Sequence, residues 1–139
     1  MSSTAALYTP EVLGLATSLA RYPLNDGLPL RGSSRAPVCG STIELGLVSD
    51  AEGRITQIGL KAHACAIGQA AAALFAEAAP GRTRAELAES LTSLEHWLAG
   101  PDAPFPDWPG LTAIAAARSF PARHGAILLP WKAALAALP

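Results

Sequence analysis

Residues 37–70 read PVCGSTIELGLVSDAEGRITQIGLKAHACAIGQA. Ile43, Leu45 and Leu47 alternate with Thr42, Glu44, Gly46 and Val48, the period of two that marks a strand with one buried face. Asp50-Ala51-Glu52-Gly53 has turn chemistry, with the glycine supplying a positive φ. Ile58 and Leu60 alternate on a return strand, so the stretch folds as a hairpin. Arg54-Ile55 falls out of phase, which predicts a bulge or a late strand start. From Cys65 to Ala79 the chain is alanine-rich with Ile67, Leu74 and Phe75, the composition of a buried helix, and Pro80-Gly81 stops it. The two cysteines, Cys39 and Cys65, bracket the hairpin. Cys65 stands at a helix start, where unpaired backbone N–H groups and the helix dipole favour a thiolate, the form that binds soft metals and accepts sulfur.

Outward from the hairpin the elements are helical. Thr9 caps and Pro10 opens a first helix with a stripe of Val12, Leu13, Leu15, Ala16 and Leu19 that ends before Pro23. Residues 24–38, with Gly27, Pro29, Gly32, Ser33, Ser34 and Pro37, read as a loop. Thr83-Arg84-Ala85-Glu86 is a capping box. It opens a helix carrying Leu87, Leu91, Leu94 and Leu98, which ends at Gly100-Pro101. A proline-rich loop to Pro109 and a short helix from Leu111 to Arg118 follow. The last helix, Ala122 to Leu138, is kinked or restarted by Pro130. The sum is α+β, a small antiparallel sheet packed against helices on one face. With 139 residues, a single domain over 1–139 is expected.

Hydrophobic residues make up 50% and charged residues 15%, a globular composition. A net charge of −1 gives no electrostatic case for nucleic acid or a membrane surface. No apolar run approaches the ~18 residues of a membrane span. No basic stretch leads into an apolar one at the N-terminus, so a cytoplasmic protein is expected. Two cysteines with 25 residues between them allow one disulfide, but without an export signal a metal or redox role is favoured. The glycines form no phosphate-binding pattern, no Ser-His-Asp spacing suggests a hydrolase, and Trp97, Trp108 and Trp131 read as core or loop anchors. Nothing points to an enzyme.

Tyr8-Thr9-Pro10-Glu11-Val12-Leu13, Pro37-Val38-Cys39-Gly40-Ser41-Thr42-Ile43-Glu44-Leu45, the hairpin turn, Ala64-Cys65-Ala66-Ile67-Gly68-Gln69-Ala70, Phe120-Pro121-Ala122-Arg123 and Leu129-Pro130-Trp131-Lys132 follow one another in an order that resembles the iron–sulfur cluster assembly scaffolds, the IscU, NifU N-terminal and SufU proteins. The resemblance implies an α+β fold shared with the SufE sulfur acceptors. It implies transient binding of iron or a nascent 2Fe–2S cluster, with a cysteine desulfurase as sulfur donor and an apo-protein as acceptor. Three cysteines and an aspartate form the ligand set of such scaffolds, for a cluster or alternatively for zinc, both of which take thiolate-rich tetrahedral sites.

Carried onto this chain, the first two cysteines match Cys39 and Cys65. The aspartate position is Ser41, and the third cysteine position is Ala126, preceded by Gly125. A one-chain, four-ligand site of the family type is therefore not expected. Three uses of the remaining pair stay open. A homodimer would supply four thiolates. A mononuclear site would join Cys39 and Cys65 with His63, Ser41, His124 or water. A SufE-like sulfur-transfer accessory would use one thiol. A regulatory or interaction paralogue without thiol chemistry is the remaining alternative. His63 shares a face with Cys65 if the strand continues that far. His124 is the imidazole nearest the missing thiol, but two residues along a helix is a rotation of about 200°. His96 is assigned no role.

Overall fold

The computed structural model describes residues 7–100 and 102–139. Helix α1 (Pro10–Ser18) runs into a 3-10 turn (Leu19–Arg21). Strands β1 (Leu30–Arg35), β2 (Thr42–Ser49) and β3 (Ile55–His63) follow, then helices α2 (Ala66–Ala78) and α3 (Arg84–Ala99). A 3-10 run (Leu111–Ser119), a 3-10 turn (Pro121–Arg123) and helix α4 (His124–Ala137) complete the chain. The strands form one antiparallel sheet in the order β1-β2-β3.

The caps and turns are those the sequence predicts. Val12 N–H donates to Thr9 Oγ1 at 3.1 Å, and the Thr83–Glu86 capping box closes in both directions. In the β2–β3 turn, Asp50 Oδ1 accepts from the N–H groups of Glu52 and Arg54, both at 2.9 Å, with Gly53 at φ 77°. The out-of-phase Arg54-Ile55 is a real irregularity: the register shifts between Val48 and Ser49. Pro101, expected to end α3 together with Gly100, lies outside the described residues.

Three expectations are corrected. The segment read as a loop over 24–38 contains β1, paired from Leu30↔Leu47 to Arg35↔Thr42. Its residues lack apolar alternation, and the strand is imposed by β2 on one side and by α4 across its face. A Cβ on Gly32 would overlap the Ala133 carbonyl oxygen and stand 2.9 Å from Ala137 N, so only glycine lets the helix lie this close. The last helix begins at His124, after the 3-10 turn, rather than at Ala122, and Pro130 lies inside it without starting a new segment. In α1, Leu13 does not join the buried stripe but is 48% exposed.

Ile43, Leu45 and Leu47 of β2 and Ile58, Leu60 and Ala62 of β3 share the sheet face that meets the helices. Helix α2 is enclosed, with Ile67, Gly68 and Ala70–Ala76 all buried. Its alanines allow close approach of neighbours, and its one large ring anchors an aromatic cluster. Phe75 stacks on Trp108 (5.6 Å between centroids) and meets Trp131 edge-on at 5.1 Å. Trp108 Nε1 donates to the Leu74 carbonyl at 2.9 Å, and the Arg82 guanidinium lies 4.1 Å over its ring. These contacts fix α2 and α4 against each other, and hence the ends that carry the candidate site.

Candidate thiol site

Cys39 lies in the tight loop between β1 and β2. Ala36 N–H donates to the Ser41 carbonyl and Gly40 N–H to the Ala36 carbonyl, both at 2.8 Å. Gly40 has φ 72°, a left-handed conformation that turns the chain into β2. The loop leaves Val38 82% exposed at its tip, while Cys39 is half-buried. Cys39 Sγ stands 3.1 Å from the hydroxyl of Ser41, which is itself only 5% exposed. The Ser41 hydroxyl holds the Cys39 thiol below its ordinary value. Partial burial opposes this, while backbone hydrogen bonds and the Arg123 charge add to it.

Cys65 is the N-cap of α2, with φ −63° and ψ 170°, and its side chain makes no capping hydrogen bond. Its carbonyl accepts from Gln69 N–H at 2.9 Å, and Gln69 Nε2 donates to the Ala64 carbonyl at 3.0 Å. The strand-to-helix junction is thus held while the sulfur is left uncommitted. Both cysteines are free thiols. Because Thr42 pairs with His63, the loop bearing Cys39 and the junction bearing Cys65 leave the sheet at the same end.

The first turn of α4 meets both segments. A Cβ on Gly125 would lie 3.0 Å from Ala36 Cβ, and one on Gly68 would lie 3.2 Å from Ala126 Cβ. Ala126, expected in the third-thiol position, is fully buried at this junction. The first turn of α4 thus joins the two cysteine-bearing segments at one end of the sheet, with the methyl group of Ala126 at the junction.

The histidines stand otherwise. Strand β3 ends at His63, so strand alternation does not extend to Cys65. His63 is exposed opposite Thr42, on the sheet face away from the helices. His124 opens α4, and its Nε2 is bonded to the Arg118 carbonyl at 2.7 Å. Among the described residues, no three His, Cys, Asp or Glu side chains are grouped to hold a metal ion. Sequence reasoning missed the Cys39–Ser41 hydrogen bond and the reach of Arg123. The first was signalled by the serine two residues beyond the cysteine across a glycine turn; the second had no local signal.

No protein-family model matches the chain, and no curated protein matches it. Solved structures do. The N-terminal part of a nitrogen-fixing NifU-like protein from Brucella abortus is 23% identical, with a TM-score of 0.84 over 98% of this chain and 94% of that one. A protein described as an iron–sulfur cluster assembly scaffold for the SUF system, SufU of Fervidobacterium islandicum AW-1, is 21% identical. Its TM-score is 0.85 over 99% of this chain and 100% of that one. The chain has the fold of the NifU-like and SufU scaffold proteins, an α+β fold of a small antiparallel sheet packed against helices.

Proposed function

We propose that this protein is an iron–sulfur cluster assembly scaffold of the NifU/SufU kind, lacking the third cysteine and the aspartate of the family set. It carries iron or a nascent 2Fe–2S cluster as cargo on Cys39 and Cys65. The observation that supports this is the convergence of the two thiol-bearing segments with the first turn of α4 at one end of a scaffold fold. One chain offers two thiolates, too few for a closed four-coordinate cluster or zinc site. Two chains offer four, which suits a 2Fe–2S cluster shared in a homodimer. Such a protein holds and hands over its cargo without catalysing a reaction. A cysteine desulfurase supplies the sulfur, an apo-protein receives the cluster, and the cytoplasm is the compartment that fits free thiols.

The Cys39–Ser41 pair favours a second reading, a SufE-like accessory that accepts sulfur on Cys39 alone. Its thiol is held toward the nucleophilic form by a hydroxyl that is a poor metal ligand. Cys39→Ser and Cys65→Ser, made separately and assayed with a cysteine desulfurase and an apo-protein acceptor, separate the two. The scaffold loses cluster delivery with either substitution, whereas the accessory loses sulfur transfer only with Cys39→Ser. Full function in the double variant would leave a regulatory or interaction protein without thiol chemistry.

A further inference from the structure

The two edges of the sheet are treated differently. The β3 edge is covered: Leu60 N–H donates to the Tyr22 carbonyl at 2.8 Å, Ile55 N–H to the Arg82 carbonyl at 3.0 Å, and Gly81 N–H to the Ile55 carbonyl at 2.7 Å. The β1 edge has no such backbone partner among the described residues. Its outward groups can be identified. Ala36 N–H bonds to Ser41 across the strand pair, and ladder bonds alternate along an antiparallel pair. Ser34, Gly32 and Leu30 therefore bond inward to β2, while the N–H and C=O groups of Arg35, Ser33 and Arg31 face outward.

The side chains of Arg31, Ser33 and Arg35 are exposed and share the sheet face away from the helices. No acid lies on β1. Glu44, beside Ser33 on β2, stands opposite Lys61 of β3 in the register. Arg31 Nε donates to the Leu28 carbonyl at 2.7 Å, which positions the guanidinium without neutralising it. An open concavity lined by Arg31, Gly32, Ser33, Glu44 and Leu45 lies over the β1–β2 pair beside this edge. A second copy is a poor occupant. Antiparallel self-pairing centred on Ser33 would set Arg31 against Arg35 of that copy, twice, and like charges directly opposite disfavour pairing.

We propose that the β1 edge is a docking site for an extended acidic segment of a partner protein, which adds antiparallel to β1 as a fourth strand. Main-chain hydrogen bonds to Arg31, Ser33 and Arg35 hold it. Acidic side chains four residues apart face the two arginines, and a small polar side chain faces Ser33. In this orientation the N-terminal end of the segment lies beside Arg35, four residues before Cys39, so the edge tethers a partner next to the thiol loop. The inference stands on the edge alone and holds whether or not a cluster is carried.

The test uses the full-length chain and a capped nonapeptide, Thr-Val-Glu-Val-Thr-Val-Glu-Val-Thr, with a lysine-for-glutamate version as control. Binding is followed by fluorescence anisotropy, and amide exchange is followed at residues 31–35. The acidic peptide binds and slows exchange of the outward amides of Arg31, Ser33 and Arg35, and the lysine peptide does not. Ser33→Pro removes an outward N–H and no ladder bond, so it leaves the melting temperature near that of the parent. It weakens binding by roughly tenfold or more. Arg35→Glu weakens the acidic peptide and admits the lysine one. Equal binding of both peptides, unchanged affinity in a folded Ser33→Pro chain, or no binding by the parent chain would each overturn the proposal.

Discussion

The chemistry of Cys39 depends on Ser41, a side chain that the scaffold resemblance marks as a replacement. The resemblance implies a carboxylate ligand at this position; here a nearly buried hydroxyl is in hydrogen-bond contact with the sulfur at 3.1 Å. Removing it by Ser41→Ala raises the Cys39 thiol toward its ordinary value, and the pH midpoint of its alkylation rate moves up, with slower labelling at neutral pH. The alkylation profile with Cys65→Ser as background isolates this thiol; an unmoved midpoint contradicts the assignment. The sign for stability follows. A thiol depressed in the folded protein contributes stability that is fully present above the unfolded thiol's pKa. That contribution is lost as pH falls through the folded value.

Among the elements, the hairpin and the capped helices were legible because their signals are local. Alternation at Ile43–Leu47, the Asp50–Gly53 turn and the Thr83–Glu86 box each need only their own residues. Strand β1 was not, because it exists through its neighbours. Leu30-Arg31-Gly32-Ser33-Ser34-Arg35 carries turn-like residues, and only the α4 backbone lying on Gly32 reveals why glycine stands in a strand. Gly32→Ala forces β1 and α4 apart and destabilises the protein by about 1–3 kcal/mol or more, as overpacking does in close-packed interiors. Denaturant unfolding measures this, and a midpoint like the parent's argues against the close approach. Helix α4 starts at His124 rather than Ala122 for a related reason. Phe120-Pro121 signals a break, but only tertiary contact determines that a 3-10 turn precedes the helix.

Across the whole molecule, the fold brings three distant segments to one end of the sheet. The motifs marked Cys39, Cys65 and Ala126 as corresponding positions, and the convergence of their segments is read from the fold. Their chemistry left its content open. The Cys39 loop, the Cys65 junction and the buried Ala126 lie at the end of the sheet where the resemblance expects three sulfurs, while His63 is exposed on the far face of the sheet and His124 is bonded to the Arg118 carbonyl. The fold is thus retained while two of the expected ligand positions carry other residues; in the function proposed above, a second chain supplies the remaining thiolates. Ser41→Asp combined with Ala126→Cys restores the full set within one chain and converts shared binding to binding by a monomer. Size-exclusion chromatography of the loaded protein reads this directly, and a loaded variant that stays dimeric contradicts it.

The most direct measurement is anaerobic reconstitution of the purified chain with ferrous iron and sulfide, followed by counting of iron and acid-labile sulfide per chain and by native mass. A scaffold of the proposed kind yields about one 2Fe–2S cluster per two chains, with visible thiolate-to-iron absorption that disappears in both Cys39→Ser and Cys65→Ser. A chain that binds neither iron nor sulfide under any of these conditions would contradict the scaffold assignment.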